Sequence, residues 1–162
     1  LGLMLSLVLY ARHQKINLMR VLDNVAIVTP ICACAIRLGN LMNSEIIGRV
    51  TDVPWAFIFE RVDMAPRHPG QLYEAICYAC FFFVGWWVYR RKPERVGTGY
   101  FFGLCLVLIF ASRILIEYTK ENQVGFEEGM LFNMGQLLSV PFVLLGIYCM
   151  KGGKWCRRLG EK

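Results

Sequence analysis

Long apolar runs alternate with short polar segments along this chain, a pattern typical of helices that cross a lipid bilayer. Four runs, at residues 25–36, 75–89, 99–111 and 137–150, can be extended with mildly polar flanks to the roughly 20 residues that a spanning helix needs. A fifth run at residues 1–11 has about half that length. The pattern predicts an all-α integral membrane protein with about five transmembrane helices.

The first run, LGLMLSLVLYA, lacks the features of a signal peptide, because no basic region precedes it and no small-residue cleavage pattern follows it. We expect it to be the second half of a helix whose first half lies upstream. The alternative is a genuine short re-entrant start. We expect a single polytopic transmembrane domain over residues 1–150 and a basic cytoplasmic tail at 151–162, with residues 38–71 as the functional segment on the outer side.

Composition and charge placement support a membrane protein and give its orientation. Hydrophobic residues make up 56% of the chain, charged residues 19%, and the mean hydropathy is +0.44, which is more apolar than a soluble domain usually is. Placing alternate loops on opposite sides puts 12 of the 18 basic residues and three acids on one side, and six basic and nine acidic residues on the other. The first side, with the C-terminus, is predicted to be cytoplasmic. The net charge of +6 therefore indicates topology, and we expect no nucleic-acid partner.

The seven cysteines do not form a recognisable metal or redox motif. Six lie inside apolar runs, and Cys156 lies among basic residues. The segment CYAC at 77–80 has the spacing of a redox motif, but it falls in a predicted spanning helix with no histidine nearby. We predict neither a metal site nor a cofactor.

The stretch IRLGNLMNSEIIGRV, residues 36–50, places charged and amide groups beside a predicted span. Asp23 and Asn24 are predicted to start the preceding helix, which should end near Arg37 on the outer side. An ionisable group at membrane depth costs roughly 2.5 to 3.5 kcal/mol, and the arginine fork suits a phosphodiester. The alternative is a snorkelling arginine with helix caps. The other candidates are amides for glycerol hydroxyls, a carboxylate and a glycine that allows close approach: Asn40, Asn43, Glu45 and Gly48.

A second polar cluster, APRHPGQLYE at residues 65–74, is a constrained loop that enters the next span. His68 is the candidate general base, because the other histidine, His13, lies in a predicted cytoplasmic loop. A structural His68 that is bonded to the backbone is the alternative. Just before this loop, Trp55, Phe57 and Phe59 alternate, which predicts a strand or an interfacial segment.

A third cluster, ASRILIEYTKE at residues 111–121, places Arg113 and Glu117 at i, i+4 spacing on one helix face. The two side chains could form a purely structural pair. The functional alternative is a second cation for an anionic lipid or for developing phosphate charge, tuned by the glutamate. A weaker feature is Gln136, near the outer entry of the last span.

Together the polar segments resemble the motifs of the prolipoprotein diacylglyceryl transferases. RLGNLMNSEIIGRV is similar to the family signature, and PRHPGQLYE, SRILIEYTKE and NMGQLLSVP are similar to three further motifs in the same order. The signature positions that match are Arg37, Gly39, Asn40, Asn43, Glu45 and Gly48. Departures from the motifs are Ile36, Leu41, Gly70, Ser112 and Lys120, and the family often carries a tyrosine where this chain has Ile109.

The resemblance implies a multi-pass transferase of the bacterial inner membrane, with seven spans and a cytoplasmic C-terminus. Such enzymes move the diacylglyceryl group of phosphatidylglycerol to the lipobox cysteine of prolipoproteins, the first step of lipoprotein maturation. The expected partners are therefore phosphatidylglycerol, prolipoprotein signal peptides and the bilayer. The predicted lipid-binding residues are Arg37, Asn40, Asn43, Glu45 and Gly48, and the predicted catalytic residues are Arg113, Glu117 and His68.

The resemblance also implies that part of the site lies outside this chain. The family has a His-Gly motif with an assigned catalytic histidine just before its third span, so we expect that motif, and with it the first two spans, upstream of Leu1. Two alternatives to the transferase remain. One is a lipid-binding or transport protein without chemistry, and the other is an inactive fragment of the transferase.

Overall fold

Five α-helices form most of the computed structural model, which describes residues 2–119, 134–154 and 156. The helices are α1 (Gly2–His13), α2 (Leu18–Met42), α3 (Gly70–Arg91), α4 (Tyr100–Ile116) and α5 (Met134–Met150). Two short strands, β1 (Phe57–Ile58) and β2 (Pro66–Arg67), pair antiparallel in the segment between α2 and α3. The prediction of a helix at each apolar run is confirmed, and the aromatic alternation at 55–59 includes the short strand β1.

Two of the five helices have the length and composition of a membrane span. α2 has 25 residues and α3 has 22, and both are long enough and apolar enough to be candidate membrane spans. α4 and α5 are apolar but shorter, with 17 residues each. The chain is therefore helical, with two candidate membrane-spanning helices.

The start of α2 differs from the prediction. The helix begins at Leu18, because the Asn17 side chain caps it by accepting a hydrogen bond of 2.7 Å from the Met19 N–H. Asp23 and Asn24 therefore lie one turn inside the helix, and the prediction that they start it is wrong. Aspartate and asparagine are both good N-caps, but Asn17, which comes earlier in the chain, is the N-cap of this helix.

Asp23 instead binds the start of a different helix. Its carboxylate is completely buried and accepts hydrogen bonds from the backbone N–H groups of Gly97 (2.8 Å), Gly99 (3.0 Å) and Phe102 (2.8 Å). These groups lie at the N-terminus of α4, where unpaired N–H donors and the helix dipole favour a negative charge. Asp23 thus fixes α4 against α2.

Two glycines bring α4 and α5 into close contact. A Cβ on Gly103 would lie 2.4 Å from the carbonyl oxygen of Gly146, and one on Gly146 would lie 2.7 Å from the carbonyl oxygen of Gly103. Toward the other end of the same pair, the rings of Phe110 and Phe142 stack with centroids 4.5 Å apart. Small residues at helix crossings allow such backbone approach in membrane proteins.

The polar segments occupy the opposite end of the helices from Asp23. The Asp23 end holds the turn before α2, the turn before α4 and Cys156, which packs near Gly99. The segment between α2 and α3 lies at the other end, against the end of α4. The turns before α2 and α4 thus share one end of the helices, and the segment between α2 and α3 lies at the other.

Replacing Asp23 with alanine should destabilise the protein by about 2 kcal/mol or more, because three backbone donors would lose a charged acceptor. Thermal unfolding in detergent micelles, followed by circular dichroism, measures the change. Asn24→Ala is the matched control, since Asn24 is the next residue of α2 and is exposed. Equal melting temperatures for the two variants would contradict the capping role.

Candidate functional site

Three segments that are distant in sequence meet through their backbones at the end of the bundle opposite Asp23. The Gly48 N–H donates to the His68 carbonyl oxygen (3.1 Å), and the His68 N–H donates to the Arg49 carbonyl oxygen (3.0 Å). The Arg49 N–H donates to the carbonyl oxygen of Thr119, just after α4 (3.0 Å). We call these four residues the junction. It joins the first, second and third polar clusters.

Gly48 is required at the junction for steric reasons. A Cβ at this position would lie 2.3 Å from the His68 carbonyl oxygen and 2.8 Å from that of Thr119. Distances below 3.0 Å from a Cβ to backbone atoms are not tolerated without movement of the backbone. Gly48 therefore allows the three segments to approach one another closely.

An ion pair braces the same region. Arg67 donates to the Gly48 carbonyl oxygen (3.2 Å) and, through Nη2, to Asp63 (2.5 Å). The hydrogen bonds from Arg67 lower the pKa of the Asp63 carboxyl below its ordinary value. Because that pKa is lowered by folding, the pair stabilises the fold above the unfolded pKa of about 3.9. This stabilisation is lost as the pH falls through the pKa that the Asp63 carboxyl has in the folded protein.

Arg37 lies within α2 and turns toward α3. Its Nε is 2.6 Å from Oε2 of Glu74, whose side chain is 1% exposed, and the Arg37 side chain is 14% exposed. We predicted that the helix would end at residues 37–40, and α2 ends at Met42, so Arg37 lies in its last turns. The side chain is therefore not a snorkelling arginine at a helix end, because a buried carboxylate on the neighbouring helix holds it inside.

Tyr78 connects this ion pair to the third polar cluster. It is 3% exposed, lies one turn beyond Glu74 on α3 and hydrogen-bonds to Arg37. It also interacts electrostatically with Glu74 and with Arg113, which lies in the last turn of α4. We call Arg37, Glu74, Tyr78 and Arg113 the Tyr78 cluster. Both predicted arginines are within electrostatic range of the Tyr78 hydroxyl.

Glu117 follows α4 and packs against the start of α5. Its backbone N–H donates to the Arg113 carbonyl oxygen, and its carboxylate lies so near Gly135 that a Cβ there would be 2.8 Å from Oε1. The Gln136 side chain donates to the Ile114 carbonyl oxygen (3.1 Å). The third and fourth motifs are thus in direct contact.

The remaining candidates of the first cluster surround the end of α2. Asn43 is the C-cap residue, and the Glu45 N–H donates to the Asn40 carbonyl oxygen (2.9 Å). Gln71 anchors this turn to α3 by donating to the Glu45 carbonyl oxygen (2.5 Å). The side chains of Asn43 and Glu45 are exposed and that of Asn40 is half-buried, so the structure places none of the three in the buried Tyr78 cluster.

His68 is fixed through both its backbone and its ring. Nδ1 lies 3.1 Å from the Tyr73 hydroxyl, which accepts a hydrogen bond from the Trp55 indole (2.9 Å). The backbone of His68 forms the junction. His68 thus contributes main-chain hydrogen bonds to the junction, and its half-buried ring has one nitrogen directed at tyrosine.

Sequence reasoning did not identify Tyr78, because it lies in the apolar run at residues 75–89. A signal was nevertheless present. Gln71, Glu74 and Tyr78 are spaced i, i+3, i+7 and so share one helix face. A polar stripe on an apolar helix marks the face that meets other polar groups. Within the described residues, no group of three or more histidine, cysteine or acidic side chains could hold a metal ion.

Comparison with known proteins gives a consistent match over nearly the whole chain. A family model described as prolipoprotein diacylglyceryl transferase matches residues 1–151. Relatives named phosphatidylglycerol–prolipoprotein diacylglyceryl transferase occur in Bacteroides fragilis (60% identical over 150 residues), Tolumonas auensis (47% over 151) and Porphyromonas gingivalis (42% over 163). The alignments cover 93%, 93% and 91% of this chain, but 54%, 58% and 58% of the relatives. The chain thus spans about half the length of these curated relatives.

The two glycines of the first motif should respond differently to alanine. Gly48→Ala should disrupt the junction and cost about 2 kcal/mol or more of stability, because its Cβ would meet backbone atoms. Gly39→Ala is the control, since nothing lies within 4 Å of a Cβ there and alanine favours a helix by about 0.5 to 1 kcal/mol. Melting temperatures in detergent test this. A Gly48→Ala variant as stable as Gly39→Ala would refute the packing argument.

The Arg37–Glu74 pair should show strong coupling in a double-mutant cycle. Arg37→Met and Glu74→Gln should each destabilise by about 3 to 5 kcal/mol, because each leaves an uncompensated buried group. The double variant should lose far less than the sum of the two. Unfolding in mixed detergent micelles measures all four proteins. Additive losses would show that the two side chains do not stabilise each other.

Proposed function

This chain belongs to the prolipoprotein diacylglyceryl transferase family, and we propose that it forms the lipid-phosphate site of such an enzyme. The reaction is transfer of the diacylglyceryl group of phosphatidylglycerol to the lipobox cysteine of a prolipoprotein. The observation that carries this proposal is the Tyr78 cluster, in which Arg37 is paired with buried Glu74 and hydrogen-bonded to buried Tyr78, with Arg113 of another motif within electrostatic range. The names of the relatives state the two substrates for those proteins.

For the membrane arrangement, we propose that all five helices lie in the bacterial inner membrane, within one polytopic domain over residues 1–150. Basic residues flank the Asp23 end of the helices, in the turns near residues 12–20 and 90–95, which supports a cytoplasmic position for that end. We propose the same side for the basic tail at 151–162, most of which lies outside the described residues. The segment 38–71 then lies on the outer side, where the headgroup of a lipid would meet it.

The proposed reaction is attack of a thiolate on carbon. The cysteine sulfur, activated by loss of its proton to a base, attacks the glyceryl carbon that carries the phosphate oxygen. A carbon–sulfur bond forms, and the electron pair of the breaking carbon–oxygen bond passes to the phosphate. The products are a thioether and glycerol phosphate.

In this proposal the two arginines have different tasks. Arg37 binds the phosphodiester of the lipid with its planar fork. Arg113 stabilises the negative charge that grows on the phosphate as the bond breaks, and Glu117, one turn later, orients it. Arg37 is hydrogen-bonded to Tyr78 and Arg113 lies within electrostatic range of it, which supports their acting on one phosphate.

The other candidates surround this phosphate site. We propose that Asn40, Asn43 and Glu45 meet the glycerol hydroxyls at the end of α2, where two of the three side chains are exposed. Gly48 holds the junction that keeps this turn near α4. His68 is a candidate base, held by Tyr73, and a base on a segment outside these residues is the alternative. A lipid-binding or transport protein that uses the same cleft without chemistry is the second candidate function.

The deciding experiment incubates the complete gene product that carries this sequence with phosphatidylglycerol and a lipobox peptide in detergent micelles. Mass spectrometry should show the diacylglyceryl mass on the cysteine. Lipid binding without this mass gain would favour the non-catalytic candidate.

Arg37→Ala should abolish transfer, and Arg37→Lys should retain only part of it, with a rate at least about tenfold below wild type. Lysine keeps a positive charge opposite Glu74 but cannot reproduce the bidentate fork, so it separates phosphate binding from loss of the ion pair. Arg61→Lys, at an exposed arginine of the same segment, is the matched control. A near-normal rate for Arg37→Lys would refute the fork.

A further inference from the structure

Tyr78 places a hydroxyl group between charged residues in an otherwise apolar environment. Its ring packs in a core cluster with Cys34 and Ala75, and Ile109 of α4 lies against the same cluster. The hydroxyl is hydrogen-bonded to Arg37 of α2 and lies within electrostatic range of Glu74 of α3 and Arg113 of α4. A buried tyrosine normally has its O–H paired, so the partners of this group bear on its function.

The direction of the hydrogen bond with Arg37 leaves the tyrosine proton available. A guanidinium has only donors, so the Tyr78 oxygen accepts from Arg37. The tyrosine's own hydrogen is then directed at an acceptor other than Arg37. Two cationic groups beside that hydrogen favour an anionic acceptor.

Glu74 restricts how Arg37 can meet such an anion. The carboxylate lies at Nε, which removes the side edge of the guanidinium, formed by Nε and one terminal nitrogen, from bidentate use. An incoming phosphate must therefore approach the end edge, formed by the two terminal nitrogens. Because Glu74 is buried on α3, one turn from Tyr78, the same helix fixes both groups.

We propose that Tyr78 is a further residue of the phosphate site, donating a hydrogen bond to a phosphate oxygen of the lipid, and that Glu74 is a positioning residue that presents the end edge of Arg37 to the same phosphate. This inference rests on the proposed function. When the carbon–oxygen bond breaks, the phosphodiester becomes a monoester and gains negative charge. A hydrogen bond to its oxygen then strengthens, so it accelerates the reaction more than it tightens lipid binding.

The test compares Tyr78→Phe with Tyr89→Phe in the complete gene product. Both remove one hydroxyl from α3, but Tyr89 lies near the opposite end of that helix and is 38% exposed. Tyr78→Phe should lower kcat by about tenfold to a hundredfold, with KM for phosphatidylglycerol and the melting temperature little changed. Tyr89→Phe should match wild type in all three.

The outcomes separate this inference from the proposed function. Absence of transfer by the wild type overturns the proposed function. Transfer by the wild type with an unchanged kcat for Tyr78→Phe overturns only the role of Tyr78. A lower kcat together with a melting temperature clearly below that of Tyr89→Phe also overturns the role of Tyr78, because the hydroxyl would then be purely structural.

Glu74 is tested by two substitutions with the same readouts. Glu74→Gln removes the charge that orients Arg37 and should lower kcat/KM by at least about tenfold. Glu74→Asp keeps the carboxylate and should recover a clear part of that loss. Equal kcat/KM for the two variants, measured well below their melting temperatures, would refute the positioning role.

Discussion

The ion pair between Arg37 and Glu74 is the interaction on which the arrangement of the site depends. An isolated charge is costly in an apolar environment, so each of these buried groups requires the other. The requirement fixes the axial position of α3 relative to α2, because the two atoms are only 2.6 Å apart. Gln71 and Tyr78 lie one turn before and one turn after Glu74 on the same face. They consequently reach the end of α2 and the Arg37 guanidinium.

The two ends of the bundle are held by different means. At one end, a single carboxylate, Asp23, binds the N–H groups at the start of α4. At the other end, the junction at Gly48 holds three segments through backbone hydrogen bonds, and only a glycine allows them to approach so closely. Both sets of hydrogen bonds join elements that are far apart in sequence. Together they fix α4 against α2 at both ends, so that Arg113 is carried to the same side as Arg37.

The sequence predicted the helices well, because an apolar run of spanning length has few structural alternatives. It also identified the polar segments that meet, since charged groups beside apolar runs need a specific partner. The partners themselves were not predictable from local rules. Asp23 has the residue type of an N-cap, and the local rule assigned it to its own helix, whereas its actual donors are more than 70 residues away. Tyr78 was overlooked because its neighbours in sequence are apolar.

The charge balance of the Tyr78 cluster is consistent with a phosphodiester ligand. Two arginines without a counter-charge would repel each other strongly where water is scarce. Glu74 compensates one of them, so the four residues of the Tyr78 cluster carry a net charge of +1, and Glu117 lies outside the cluster, one turn after Arg113. A phosphodiester carries one negative charge and would neutralise that excess. In the proposed reaction, Arg113 and hydrogen bonds that strengthen with charge stabilise the further charge that appears when the carbon–oxygen bond breaks. The Tyr78 hydroxyl and the end of the Arg37 guanidinium are the groups that we propose to provide these hydrogen bonds.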